Sequence, residues 1–479
     1  MTISTTNDSI CAMTAAQLAR AIQRKSLSPV EIVSAALERA HRLQPEFNCF
    51  ITICGERAMQ QARHAEADVM SGRELGPLHG IPFTVKDLVN TADVRTTFGT
   101  LAYKDNIPDH DAVSVARLRA AGAILIGKTT TPEFGCQSLT RSPLFGQTRN
   151  AWSAERTSGG SSGGAAVATA QMITPLAVAS DGGGSTRIPA ACNGVVGLKQ
   201  SLGVIPHSQA QDVYGNQTYV TPTTRTVEDT AMMLQVMAGE DPIDPWSIGV
   251  NQPDYVDAVR TADDLKGKRV LYCAVPPGRP IAADVQRAFD AALQRLQALG
   301  AQLESFDATA FNIEPVWRTV NHTVWRTRFI DMVTREPALF SETFRRQVES
   351  AQAFSSVDYQ RAMFARSALF HHVQGLLQRA DFLVTPTLSR TALPIDQDLF
   401  QPIDIDGKPY EDLRANWFPW TMVFNMTGHP AISVPCGTAS DGLPVGLQLV
   451  GRFRQDAELL RAAAAFERAS PCERRYFCG

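Results

Sequence analysis

Hydrophobic and polar positions along the chain recur with two periods, and the switches between them mark its elements. Ser28-Pro29-Val30-Glu31 combines an N-cap serine, a proline at the first helical position and a capping-box glutamate, after which Val30, Val33, Ala36 and Leu37 recur at helical spacing. Thr14 with Gln17 predicts a second helix start. From Gly80 the period drops to two: Ile81, Phe83 and Val85 alternate with Pro82, Thr84 and Lys86, a strand whose second face ends in a lysine. A helix from about Asp111, stopped by Gly122, leads into the strand-like run Ala123-Ile124-Leu125-Ile126. A small-residue helix from about Ser162 to Gln171, a short buried strand at Pro175 to Ala179 and the turn Asp181-Gly-Gly-Gly-Ser185 repeat the unit. Helix and strand in alternation predict an α/β fold.

Beyond Gly239 the pattern predicts a strand at Arg269 to Val275, helices through about Leu377 and buried strands at Phe382 to Val384, Ala431 to Pro435 and Leu447 to Val450. Pro394 to Asp412 reads as a long acidic, proline-containing surface loop or pocket rim, and Asp456 as the cap of a final alanine-rich helix. No internal repeat or low-complexity tract divides the chain. The expectation is one domain over 1–479, with a core at about 70–207, a variable pocket-building region at about 209–412 and a C-terminal core segment at about 413–470.

Composition narrows the function. The 479 residues carry a net charge of −3 and no block of like charge, which leaves no electrostatic footprint for nucleic acid; a small neutral substrate fits better. Met1 to Ser9 lacks the features of a secretory signal, and no apolar run approaches the roughly 18 residues of a membrane span, so a cytoplasmic protein that does not engage a membrane is expected. A homodimer is compatible with this composition. Nine scattered cysteines, Cys472 and Cys478 among them, read as reduced, mostly structural thiols. His371 and His372 are merely adjacent and no HExxH occurs, so no metal site is expected.

Two motifs match by letter and fail by context. Gly122-Ala-Ile-Leu-Ile-Gly127-Lys128-Thr129 fits the P-loop pattern, but its variable positions are themselves strand-like and Thr129-Thr130-Thr131-Pro132 stands where a helix should begin. A P-loop nucleotide-binding protein is therefore the weak rival from another class. Gly159-Gly160-Ser161-Ser162-Gly163 fits the nucleophile elbow, yet the polar stretch Trp152 to Ser158 replaces the buried strand an elbow follows, and His207, His322 and His429 lack a base's context. A flexible Gly/Ser linker is the bland alternative. It weakens because the segment runs straight into an apolar helix and strand closed by a second glycine-serine cluster at Ser185.

Gly159-Gly-Ser161-Ser-Gly-Gly-Ala165, Asp181-Gly-Gly-Gly-Ser185-Thr-Arg187-Ile-Pro-Ala and Gly194-Val-Val-Gly-Leu-Lys199 together closely resemble the signature of the amidase signature family. Gly80-Ile-Pro-Phe-Thr-Val-Lys86-Asp87 is similar to its lysine strand, and Asn425-Met-Thr-Gly-His-Pro-Ala431 and Gly442-Leu-Pro-Val-Gly-Leu-Gln448 extend the match towards the C-terminus. The resemblance implies a twisted mixed central sheet covered by helices. It implies a Ser-Ser-Lys relay: Ser185 as nucleophile, Ser161 as proton bridge in a non-proline cis peptide, and Lys86 as base. Backbone amides of Gly182, Gly183, Gly184 and Ser185 would form the oxyanion hole, while Gly135, Cys136 and Gln137 align with acyl-pocket positions. No cofactor is implied. Hydrolysis of a small aryl or alkyl amide through an acyl-enzyme is the expected reaction; the glutaminase subunit of a tRNA-dependent amidotransferase is the alternative within the family.

Departures from the family pattern stand at Gly182, Thr186 and Gln200. Gly182 is expected to loosen the oxyanion hole and Thr186 to add a hydroxyl near it. Asp181 and Arg187 are expected to pair with each other, and Cys192 to lie in the core. Trp317, Trp325, Trp417 and Trp420 are candidates either for an aromatic pocket wall or for core packing.

Overall fold

The computed structural model describes residues 7–470. Eleven strands form one continuous mixed sheet: β1 (Phe50–Ile53), β2 (Pro82–Lys86), β3 (Ile124–Thr129), β4 (Leu176–Asp181), β5 (Val196–Lys199), β6 (Tyr219–Thr224), β7 (Arg269–Tyr272), β8 (Gln302–Ser305), β9 (Phe382–Pro386), β10 (Ala431–Thr438) and β11 (Pro444–Gly451). Their order is β1-β3-β2-β4-β6-β5-β10-β11-β9-β7-β8. β2 runs parallel to both β3 and β4, whereas β6 is antiparallel to β4 and β5, and β10 to β5 and β11. The variable region thus contributes β6 to β9 to the sheet that the signature segments begin.

Both capping boxes form as their sequences predict. Thr14 with Gln17 caps the helix Ala15–Gln23, and Ser28 with Glu31 caps the helix Pro29–Phe47. These signals work because every partner lies within one turn. β2 departs from its alternating pattern: all five residues are buried, since β2 lies inside the sheet with β3 and β4 on either side and helices packed against it. Its register with β4 pairs Thr84 with Ala177 and Val85 with Val178. Ala177 and Ala179 meet Ala165 of the helix Gly163–Ala170, whose small side chains let it lie close to the sheet.

Two expectations need correction. The stretch Pro394 to Asp412 contains a hairpin, Ile403–Ile405 with Lys408–Tyr410, turned by Asp406 and Gly407, both at positive φ. Asp-Gly favours that tight turn, and the surrounding charges masked the signal. Asp456 does not cap its helix. It is the first residue of Asp456–Ala469, and its carboxylate accepts the Ser201 N–H at 2.7 Å, tying the last helix to the chain after β5. Cys11, Cys49, Cys54, Cys136, Cys192 and Cys273 are free thiols; Cys472 and Cys478 lie outside the described residues. Among the described residues no helix is long and apolar enough to cross a membrane.

Candidate active site

Parallel strands end at one edge, and the loops beyond those ends hold the polar residues of an α/β site. Lys86 is the last residue of β2 and has no exposed surface. Its amine lies 2.7 Å from Ser161 Oγ, 2.8 Å from Ser162 Oγ and 2.9 Å from Ser180 Oγ. Burial, which penalises the ammonium form, pulls its pKa well below the ordinary lysine value; the negative charge of Asp181 opposes this less strongly.

The proton directions around this amine follow from its neighbours. Ser162 donates its one hydroxyl proton to the Ser180 carbonyl at 3.1 Å, so its oxygen accepts from Lys86. A neutral amine has two N–H bonds and one lone pair. With one N–H on Ser162, the second N–H and the lone pair are left to Ser180 and Ser161, and the Ser161 contact is the shortest of the three.

Ser161 follows a cis peptide bond from Gly160. The Ser162 N–H donates to the Ser185 carbonyl at 3.1 Å, holding the two glycine-serine turns together. Ser185 is half-buried and, with Ser161, Ser180, Gly182 and Gly183, lines one cavity of about 220 Å³.

Asp181 organises the second turn. Its carboxylate accepts from the Gly184 N–H at 2.6 Å, the Thr186 N–H at 3.2 Å, Arg187 Nε at 3.0 Å and Asn425 Nδ2 at 3.0 Å. Burial works against this carboxylate, but the Arg187 charge and these hydrogen bonds outweigh it and hold the pKa at about 2. Arg187 also donates to Gln448 and Asn425, which completes a buried network. Trp317 Nε1 donates to the Gly182 carbonyl at 2.8 Å, and Thr421 Oγ1 to the Gly183 carbonyl at 2.7 Å.

These contacts correct two expectations. The Gly184 N–H donates to Asp181 and is not free to meet an oxyanion, which removes it from the four expected donors. Thr186 adds no hydroxyl to the hole: its Oγ1 is 2.5 Å from Thr221 Oγ1 in the core, because the helix Arg187–Asn193 turns it away. Asp181 and Arg187 pair as expected, and Cys192 is core.

Gly135, Cys136 and Gln137 all line the cavity. Of the four tryptophans, Trp317 and Trp325 form part of its wall, whereas Trp417 and Trp420 are packed in the core. His207 lines the cavity; burial lowers its pKa to about 4. His322 Nδ1 contacts Ser350 and His429 contacts Gln374, so neither is aligned as a base for a serine of the two turns. Lys128, the lysine of the P-loop-like string, lies inside β3 and donates to the Val89 carbonyl, Thr91 and Thr96 rather than facing a phosphate-sized opening. Among the described residues no three His, Cys, Asp or Glu side chains group to hold a metal ion.

A family model described as Amidase matches residues 31–460. The chain belongs to the amidase family. The amidase is 37% identical to an acylamidase of Rhodococcus erythropolis over 468 residues, 96% of each chain. It is 34% identical over 480 residues to a glutamyl-tRNA(Gln) amidotransferase subunit of Thermosynechococcus vestitus, covering 95% of this chain and 97% of that relative. Among solved structures, a bacterial aryl acylamidase of the amidase signature family matches with a TM-score of 0.88 and 27% identity over 96% of both chains. The protein is accordingly an enzyme that hydrolyses amide carbon–nitrogen bonds.

Sequence reasoning missed Ser162 and Ser180 as partners of the amidase's Lys86, and Trp317 and Thr421 as tethers of its glycine turn. Ser162 carried a signal, its place beside Ser161. Trp317 and Thr421 sit more than a hundred residues from the turn they hold, and nothing local marks them.

Proposed function

We propose that this amidase cleaves small aryl or alkyl amides through an acyl-enzyme on Ser185. The observation that carries the reading is the buried Lys86 amine, 2.7 Å from Ser161 Oγ. A serine hydroxyl is a poor nucleophile at neutral pH and needs an adjacent base. Neutral Lys86 takes the Ser161 proton as Ser161 takes that of Ser185, and Ser185 Oγ bonds to the substrate carbonyl carbon. The developing oxyanion is met by the N–H groups of Gly182, Gly183 and Ser185, donors of a kind each worth roughly 10²-fold in rate. The proton returns through Ser161 to the substrate nitrogen, the C–N bond breaks and the amine leaves. Water then repeats the relay, releasing the carboxylic acid and restoring Ser185. Substrate, water and these side chains supply every proton and electron pair in this sequence.

The enzyme is taken to be cytoplasmic, a reading supported by the free thiols of Cys11, Cys49, Cys54, Cys136, Cys192 and Cys273. Assay of purified chain on a panel of anilides and aliphatic amides tests the proposal. Turnover is expected in the native protein and loss of at least roughly 10³-fold in Ser185→Ala, whose fold is checked by circular dichroism. Undiminished turnover in that variant refutes the assignment. The 34% identity to an amidotransferase component supports a second reading, glutamine hydrolysis within a larger assembly. That reading requires ammonia release from glutamine to exceed anilide turnover, and to depend on added partner proteins.

A further inference from the structure

The cavity beside Ser185 holds a positive charge to which the described residues give no direct counter-ion. Arg414, in the helix Leu413–Trp417, is 6% exposed and lines the cavity. Its Nη2 donates to the neutral side-chain oxygen of Gln347, and its guanidinium lies 5.4 Å from the centre of the Trp317 ring. Glu314 and Asp412, the acids whose charges reach it, are both turned to Arg318, at 2.8 and 2.9 Å. Among the described residues no carboxylate pairs with Arg414. Among the described residues Asp212 is the one acid lining the cavity; it stands at the exposed rim, where its carboxylate accepts the Gly215 N–H. The rim also carries Arg328, another guanidinium.

A buried charge is costly unless paired, and a guanidinium presents a planar fork that matches a carboxylate with two parallel hydrogen bonds. Trp317 links this charge to the chemistry, because the same indole that faces Arg414 donates to the Gly182 carbonyl. We propose that the substrate of this amidase carries a carboxylate, seated on Arg414 against Trp317 while the scissile carbonyl lies at Ser185. Size narrows the class further. A cavity of about 150 Å³ holds a benzene ring, so about 220 Å³ takes one ring or a short chain with a few further atoms. The inference rests on the acyl-enzyme reading above and adds the charge and size of the substrate.

Steady-state kinetics on the full chain test it with three anilides: acetanilide, 4-acetamidobenzoate with the acid on the leaving side, and N-phenylsuccinamate with the acid on the acyl side. The kcat/KM for at least one acid is expected to exceed that for acetanilide by roughly tenfold or more, the size of a charge-assisted hydrogen bond. In Arg414→Gln that ratio is expected to collapse towards one, mainly through KM; Arg414→Lys should retain part of it. A purely packing role for Arg414 would lower all three substrates together and leave the ratio unchanged, which overturns the proposal. Should Arg414→Gln fail to fold, inhibition of the native protein decides: benzoate must compete at least roughly tenfold better than benzamide, and less well as salt is added. Equal inhibition, or acetanilide turned over as well as both acids, overturns the charge preference alone. Absence of turnover on every amide removes the acyl-enzyme reading as well.

Discussion

Lys86 can act as a base only while uncharged, and its burial fixes the sign of two pH effects. Its folded pKa lies well below its unfolded one, so kcat/KM is expected to rise with pH through the folded pKa and level off above it. Across the interval between the two values the unfolded chain binds more protons, so stability also rises with pH and the penalty is full below the folded pKa. Urea midpoints measured over a pH series should therefore flatten in Lys86→Met; an unchanged slope would mean that Lys86 is not buried uncharged. Asp181 is a lowered carboxylate. Its stabilising contribution is complete above its ordinary value of 3.8 and is lost as pH falls through about 2. Asp181→Asn leaves the Arg187 charge buried with neutral partners, a change that typically costs about 3–5 kcal/mol, readable as a lower urea midpoint. Residues whose type alone carries chemistry, such as a lysine ending a buried strand and serines among glycines, are visible in sequence. Arg414 is not, because whether a helical arginine faces a cavity or solvent depends on packing that forms only in the fold.

The turn Gly182–Ser185 works as a unit, with its carbonyls held from outside by Trp317 and Thr421 and one amide held from below by Asp181. Gly184 has φ +122°, and a Cβ there would collide with Thr421 Oγ1. Gly184→Ala is therefore expected to lose about 1–3 kcal/mol of stability from backbone strain and to lower kcat through the displaced amides. Thr421→Ala in the same chain would remove the Oγ1 contact but leave the Thr421 Cβ at 2.6 Å from the added methyl and the backbone conformation unchanged, so stability should recover only in part; full recovery would place the whole effect in the Oγ1 contact. Legibility at this scale follows the range of the interaction. The helix starts at Thr14 and Ser28 were readable because a capping box is completed within one turn. The environment of β2 was legible only in part: alternation showed one apolar face, while the burial of Thr84 depends on strands and helices remote in sequence. The hairpin turned by Asp406 and Gly407 was hidden by acidic flanks that resemble a solvated loop, and Asp456 has a partner 255 positions away in Ser201.

Across the whole molecule, the sheet runs without a break from the signature strands into those of the variable region, and the cavity takes walls from both. The proposed relay draws every group from this chain, so anilide turnover is expected from the purified protein alone and should be unaffected by EDTA. A requirement for added partner proteins or loss of activity on chelation would contradict that. The α/β class and the central signature segments were legible because strand–helix alternation and glycine turns repeat locally. The hairpin and the pocket-facing residues of 209–412 were not, since their positions are set by contacts across the fold. The most direct test of the central claim is peptide mapping by mass spectrometry after rapid acid quench with a slowly deacylating activated anilide, repeated across pH. An acyl group on the peptide containing Ser185 is expected, forming faster as pH rises and at least roughly 10³-fold more slowly in Lys86→Ala. An adduct on another residue, or one that forms at an undiminished rate without Lys86, would contradict the relay.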